Sequence, residues 1–378
     1  MDLSRRELLA VSALWLARPA AGLATEPAAS PPAEAATAGQ KPIILCWNEN
    51  PYGPSPAARA AIQEAIPGSC RYPDEENKLL IEAIAAHERM PTDHLVTGTG
   101  SGELLRTLGF LYGRDGGEII AAQPTYSELT DYAKGAGATL KFVPVDKDLK
   151  HDLKAMRAAV SDRTRAVYIC NPNNPTGTTV RRQALETFIA SMPDNVTTIV
   201  DEAYMDFADL YDVVSVSDLT TKAKRVVVLR TFSKIHGMAG IRMGYAISRP
   251  DIVKDIGAVT MTTPNIFAVR AARASLGDQE FLNDTRRRIL ASRRKITAEL
   301  THLGLHYAIP QGNFVFFDTG MPLERFTELM KARNILVGRP FPPYDSWCRI
   351  TIGTEPEVAA FLDALHSVAH ARSAARTT

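Results

Sequence analysis

Across residues 71–258, short apolar runs alternate with amphipathic stretches, a pattern that is buried by a parallel-rich sheet with helices on both faces. Three of the runs end in chemistry. Residues 165–169 lead into Cys170-Asn171-Pro172-Asn173-Asn174-Pro175-Thr176-Gly177, Ile199-Val200 ends in Asp201-Glu202-Ala203-Tyr204, and residues 226–229 precede Thr231-Phe232-Ser233-Lys234. Ligands of open α/β sheets sit at the carboxyl ends of strands, so these three ends mark a candidate site. Beyond residue 258 the pattern changes to a long helical stretch over about 265–303, then shorter strands near 314–318 and 348–352 separated by helices. That predicts a second, smaller α/β domain, completed by residues 41–70, with a large domain over 71–264 and the small one over 265–378.

The tract from Thr231 to Arg242 joins a lysine, the side chain that forms imines with aldehydes, to hydroxyls and an arginine suited to a phosphate. Glycines between Lys234 and Arg242 let the backbone turn sharply enough for the guanidinium to return to the same pocket. This points to pyridoxal phosphate, although a lysine after an apolar run is also a common solvated strand end. Asp201 fits the same chemistry. A carboxylate at the end of a buried strand keeps a pyridine nitrogen protonated, so that the ring accepts the electrons of a substrate carbanion; the other reading is a cap for a following helix. Tyr204 would donate to the ring's phenolate oxygen, and Asn174, held in a proline-stiffened loop, would add an amide donor, though Asn-Pro pairs are also ordinary turn punctuation. In Val96-Thr97-Gly98-Thr99-Gly100-Ser101-Gly102-Glu103, a strand end passes through small residues into a helix whose free N–H groups form a phosphate cradle. Its spacing matches neither a P-loop nor a dinucleotide fingerprint.

In this order the four tracts resemble those of the fold-type I pyridoxal-phosphate aminotransferases of class I/II, and most nearly the histidinol-phosphate aminotransferase family, from about residue 45 to the last helix. Three further tracts carry the resemblance: Asn48-Glu49-Asn50-Pro51-Tyr52-Gly53-Pro54-Ser55-Pro56, Arg71-Tyr72-Pro73-Asp74 and Arg349-Ile350-Thr351-Ile352-Gly353-Thr354. The resemblance implies a large domain with a mostly parallel, seven-stranded sheet flanked by helices, plus a smaller α/β domain. It implies pyridoxal 5'-phosphate held by Lys234, which also serves as general base, with Asp201 on the pyridine nitrogen and Tyr204 and Asn174 on the phenolate oxygen. Thr231, Ser233, Arg242 and the backbone of Gly100, Ser101 and Gly102 would hold the phosphate, and Tyr126 would stack on the ring. Tyr72 would reach a neighbouring subunit's phosphate, which implies a homodimer with shared sites. Arg349 would take the substrate carboxylate with its planar fork, and Asn50 and Arg339 are also assigned to the substrate. One departure concerns substrate choice. Residues 259–264 read Val259-Thr260-Met261-Thr262-Thr263-Pro264, without the aromatic that helps hold a substrate phosphate in the family, which argues against histidinol phosphate. Arg339 either supplies a cation at the substrate's distal end or is a surface arginine in a proline-rich loop.

The expected reaction is therefore transfer of an amino group between an amino acid, or an amino alcohol such as histidinol phosphate, and a 2-oxo acid. The same pocket also serves lyases, decarboxylases and racemases, and a non-catalytic exported binding protein is a third reading, against which Lys234, Asp201 and Arg349 argue together. With 378 residues, 45% hydrophobic, the chain is long enough for two domains and a large core. A net charge of +1 with no basic, aromatic-interleaved stripe argues against nucleic acid, and Arg286-Arg287-Arg288 reads as a solvated helix face. The 4 cysteines show no metal-type spacing and read as free thiols. Residues 1–24 carry paired arginines, an apolar run too short to span a bilayer and small residues near 22–24, the layout of a twin-arginine export signal with no membrane anchor after its removal. The expected location is the periplasm, with a cytoplasmic protein bearing an amphipathic extension as the alternative. Residues 25–40, rich in Ala, Pro, Glu and Thr, read as a linker.

Overall fold

The structure, a computed structural model, describes residues 41–376 except position 223; the expected signal and linker lie outside the described residues. The strands are β1 (Ile43–Ile44), β2 (Leu95–Gly98), β3 (Glu118–Gln123), β4 (Thr139–Pro144), β5 (Thr164–Cys170) and β6 (Thr197–Asp201). They are followed by β7 (Val226–Thr231), β8 (Gly244–Ser248), β9 (Phe314–Asp318), β10 (Ile335–Leu336) and β11 (Trp347–Thr351). Seven of them form one sheet in the order β2-β8-β7-β6-β5-β3-β4. Only β8 runs antiparallel to its neighbours, so the sheet is mostly parallel, as expected. Every residue of β6 is buried, which is why its sequence is apolar without alternation up to Asp201. On one face Val167, Ile169, Val200 and Val228 enter an apolar cluster, and on the other Tyr168, Ile199, Val227 and Leu229 enter a second.

The smaller lobe pairs β9 with β11 antiparallel and β1 with β10 parallel, under the helices Gln279–His302 and Glu355–Arg376. Its core includes Ile289, Ile296, Phe317, Phe326, Ile350 and Phe361.

Two expectations need correction. The helical stretch over 265–303 is two helices, Ile266–Gly277 and Gln279–His302, broken at Asp278, whose carboxylate accepts the Phe281 N–H and starts the second. The first packs with the large sheet: Ala268, Val269, Ala271, Ala272 and Leu276 share the cluster of Val167 and Val200, as do Ala58 of helix α1 (Pro56–Ala65) and Leu80 of helix α2 (Asp74–Glu88). At roughly 1.5–3 kcal/mol per fully buried Val or Leu, these contacts tie residues 56–65 and 266–277 to the large lobe. The lobes therefore divide at Asp278, and only about the first ten of residues 41–70 run with the small lobe. Pattern alone could not tell these faces apart, because both helices are amphipathic whichever lobe they cover.

Candidate active site

Parallel pairing aligns the three chemical strand ends. Cys170 lies opposite Asp201, Asp201 opposite Leu229, and the ladder continues past the strands with the Asn171 N–H on the Asp201 carbonyl (2.9 Å) and the Glu202 N–H on the Leu229 carbonyl (3.0 Å). Side-chain alternation then separates two neighbouring acids. Glu202 turns away to pair with Arg230 at 3.1 Å and to accept the Val216 N–H at 2.9 Å. Asp201 stays at the site, 2% exposed, accepting the Tyr168 hydroxyl (3.1 Å) and the Ala203 N–H (3.0 Å). No α-helix starts directly after Asp201, and the short 3-10 turn Met205–Phe207 that follows begins at Tyr204, so the helix-cap reading falls away.

Burial pushes the Asp201 carboxyl up to about 6, against the Ala203 and Tyr168 hydrogen bonds and the charge of Lys234. Among the described residues it has no ion-pair partner, so a cation brought to it would be favoured by charge. Lys234 is displaced in the opposite sense, down to about 8, first by burial and next by the charge of Arg349, with Glu49 and Asp201 opposing. Its Nζ donates to the Asn48 carbonyl (3.0 Å) and lies 5.4 Å from the centre of the Tyr204 ring. It is thus no solvated strand end.

Tyr204 is buried, and its hydroxyl accepts the amides of Asn48 (3.1 Å) and Asn174 (3.3 Å). Burial is the main reason its hydroxyl is held well above the usual tyrosine range, so it is a neutral donor. Asn174 links onward, its Oδ1 accepting Arg349 Nη1 at 2.6 Å, while Arg349 Nη2 donates to the Cys46 carbonyl at 2.7 Å. The guanidinium lies 5.0 Å from the Phe341 ring and 5.8 Å from that of Phe314, and its buried Nε has no hydrogen-bond partner. A buried donor left open beside a lysine is a place for an anionic ligand atom.

The phosphate-type residues converge at the same edge. Helix α3 (Ser101–Gly113) opens at Gly100 with no side chain capping it. Gly100 has φ +86°, and a Cβ there would collide with the Arg242 guanidinium; one on Gly244 would collide with the Ser101 nitrogen. Arg242, itself at φ 69°, donates to the Ala239 carbonyl (2.8 Å) and reaches the Ser233 hydroxyl at 3.5 Å, while Thr231 Oγ1 accepts the Ser233 N–H at 3.1 Å. Arg242 and Gly102 also line a cavity of about 840 Å³ together with Tyr126, Glu103, Met261 and Thr262.

Other expected residues lie apart. Tyr72 is 92% exposed, available to another molecule and not part of this cluster. Asn50 braces the loop that carries Lys234, its Nδ2 donating one hydrogen to the Ile235 carbonyl (2.8 Å) and its Oδ1 accepting the Tyr52 N–H (3.1 Å), which leaves the second amide hydrogen unassigned. Arg339 is exposed, its guanidinium 4.4 Å from the centre of the Phe341 ring, which also lies 5.0 Å from the guanidinium of Arg349; burial first, and then the charge of Arg339, lower the Arg349 pKa. The arginine tract is also more than a solvated face, because Arg286 donates to the carbonyls of Asp206 and Ala208 just after Tyr204. Sequence reasoning missed Asn48 and Asn313 as site braces. Asn313 donates to the Asn48 and Glu49 carbonyls, both at 3.1 Å, and neither asparagine has a local pattern to reveal partners so distant in sequence.

Comparison with known proteins gives the family and the fold. The family model "Aminotransferase class I and II" matches residues 40–365. A histidinol-phosphate aminotransferase of Moorella thermoacetica is 38% identical over 335 residues, 87% of this chain and 86% of that protein. An aromatic amino acid aminotransferase of Cutibacterium acnes is 36% identical over 333 residues, 88% of this chain and 94% of the relative. Among solved structures, histidinol-phosphate aminotransferase of Sinorhizobium meliloti in complex with pyridoxal-5'-phosphate superposes with a TM-score of 0.82 at 27% identity, over 88% of this chain and 92% of that one.

Proposed function

The chain belongs to the aminotransferase class I and II family and is a pyridoxal-phosphate-dependent aminotransferase, and we propose the following division of labour among its residues. Bound at this site, the cofactor supplies an aldehyde that takes up the amino group and a ring that withdraws electrons from the substrate's α-carbon. Lys234 would hold it and, with a nitrogen already displaced to about 8, shuttle a proton at Nζ near neutral pH. Asp201 keeps the ring nitrogen protonated. Tyr204 and Asn174 donate to the ring oxygen, for which their mutual hydrogen bond and the one from Asn48 already orient them. Thr231, Ser233, Arg242 and the first turn of α3 would take the phosphate, and Tyr126 the face of the ring.

Arg349 would bind the α-carboxylate of the amino acid and then of the 2-oxo acid. The single observation that carries this role is its open, buried Nε beside Lys234. For the amino donor we favour an unphosphorylated amino acid with an apolar or aromatic side chain. Support comes from the aromatic rings of Phe314 and Phe341 around Arg349, and from Met261, 85% exposed, where the resemblance would place an aromatic ligand for a substrate phosphate. Comparing kcat/KM for phenylalanine and for histidinol phosphate, in wild type and in Arg339→Ala, tests the choice. A strong wild-type preference for the phosphorylated substrate that collapses in the variant would overturn it.

The exposed Tyr72 supports a homodimer in which each subunit completes the other's phosphate site, and equilibrium sedimentation of wild type and Tyr72→Ala tests this. For the location we keep export through the paired Arg5 and Arg6. Replacing both by lysine should leave a folded, cofactor-loaded protein in the cytoplasm, because such a pair serves as an address read by a receptor.

A further inference from the structure

Glu103 occupies the first turn of α3, where a carboxylate is ordinarily favoured by the helix dipole and would compete with a phosphate for the open N–H groups. Here it is drawn aside. One oxygen accepts the Thr99 N–H (2.6 Å) and hydroxyl (2.8 Å), the other the Thr262 N–H (3.1 Å) and hydroxyl (2.6 Å). The two hydroxyls are 3.2 Å from each other. Gly98 leaves the space for this, since a Cβ there would come within 3.2 Å of the carboxylate. The knot joins the glycine loop, which must stay close to Arg242, to the segment carrying Met261 along the wall of the same cavity.

We propose that Glu103 is a positioning residue for cofactor phosphate: by tying Thr99 to Thr262 it fixes the Gly98–Thr99–Gly100 loop and keeps its own charge off the α3 N-terminus. This rests on the phosphate lying at the Gly100, Ser233 and Arg242 edge. In Glu103→Gln one acceptor oxygen becomes an NH2 that faces a backbone N–H of Thr99 or Thr262, and a backbone N–H cannot reverse its polarity to accommodate it.

The test is titration of apoenzyme with pyridoxal 5'-phosphate and, separately, with pyridoxal, read by absorbance and competed with inorganic phosphate. Glu103→Gln and Thr262→Val are compared with wild type and with Arg242→Gln. The expected result is a rise in Kd of about tenfold or more for pyridoxal 5'-phosphate in Glu103→Gln, a smaller rise in Thr262→Val, and a change below about threefold for pyridoxal in both. Equal weakening of both ligands overturns the proposal in favour of a purely structural role. So does an unchanged preference for the phosphorylated ligand in Glu103→Gln while Arg242→Gln loses that preference. If Arg242→Gln also keeps it, the phosphate placement itself fails and the role of Glu103 fails with it. Glu103→Gln keeps the shape of the side chain, and should it still fail to fold, Thr262→Val and Thr99→Val carry the same comparison.

Discussion

The proposed cofactor side and the proposed substrate side of this site are built in opposite ways. On the cofactor side, Asp201 and Lys234 stand at or just past the ends of adjacent parallel strands, so their separation follows from sheet geometry. On the substrate side, Arg349 is held by Asn174 and the Cys46 carbonyl and flanked by Phe314 and Phe341, five pieces from five separate segments. A sheet places its groups rigidly and with little choice; an assembly of segments places them adjustably. Changes on the first side should therefore remove chemistry, and changes on the second should redirect it.

The largest effects should come from the strand ends. Lys234→Ala should lower turnover by about 10⁴-fold or more, the upper range for a positioned acid–base group, with loss of the cofactor's imine absorbance. A variant that keeps this absorbance would put the attachment elsewhere. Asp201→Ala should lower kcat by at least about a hundredfold with little change in KM; loss of less than about tenfold, or about 1.4 kcal/mol, would remove it from the electron-withdrawing role. Arg349→Lys should act differently, raising KM for the amino acid by roughly ten- to a hundredfold as a two-pronged contact becomes a point charge, while kcat falls less. If kcat fell as far as in Asp201→Ala, the contrast between the two sides would fail.

A smaller effect links them. Because Lys234 is protonated above about 8 only sparingly, capture of cofactor by apoenzyme should rise with pH and level off beyond about 8, well below the ordinary lysine range. Arg349→Met removes one of the charges that hold this value down, so its profile should shift to higher pH. The folded chain binds fewer protons at Lys234 than the unfolded chain between about pH 8 and the usual lysine value, so this group's contribution to apoenzyme stability grows with pH across that window. Asp201 acts oppositely: its raised carboxyl makes the folded apoenzyme lose stability as pH climbs from the usual aspartate value to about 6. Thermal melts of apoenzyme against pH, in wild type and in Asp201→Asn, measure the difference.

The same contrast explains what could be read from the sequence. Strand-end residues announce themselves because an apolar run followed by a lone acid or lysine is a local pattern, and the places of Asp201 at the end of β6 and of Lys234 just past β7 are legible on that basis. The glycine loop was legible as a turn into a helix, but the Glu103 bonds to Thr262 were not, because nothing near either residue marks the other. The bracing bonds of Asn50 are hidden for a related reason. An asparagine beside a proline looks free in one dimension, whereas folding gives its amide the Ile235 carbonyl. The lobe boundary was misplaced because amphipathic periodicity shows that a helix has a buried face without showing what covers it.

Asn48 adds a matter of timing. Its N–H donates to the Thr351 hydroxyl (2.8 Å), its amide to Tyr204, and its carbonyl accepts Lys234 and Asn313. A ribosome delivers Asn48 first and Thr351 some three hundred residues later, which at about 5–20 residues per second is a wait of roughly 15 to 60 seconds. Over about the last third of that interval, once β8 has been made, the large sheet can form with Asp201 and Lys234 in place, but the segment that closes over them still lacks its Thr351 partner and is held only from the sheet side. A nascent chain stalled before residue 351 should therefore show a protected sheet and a protease-sensitive segment around Asn48, and the site would close only when synthesis is nearly complete.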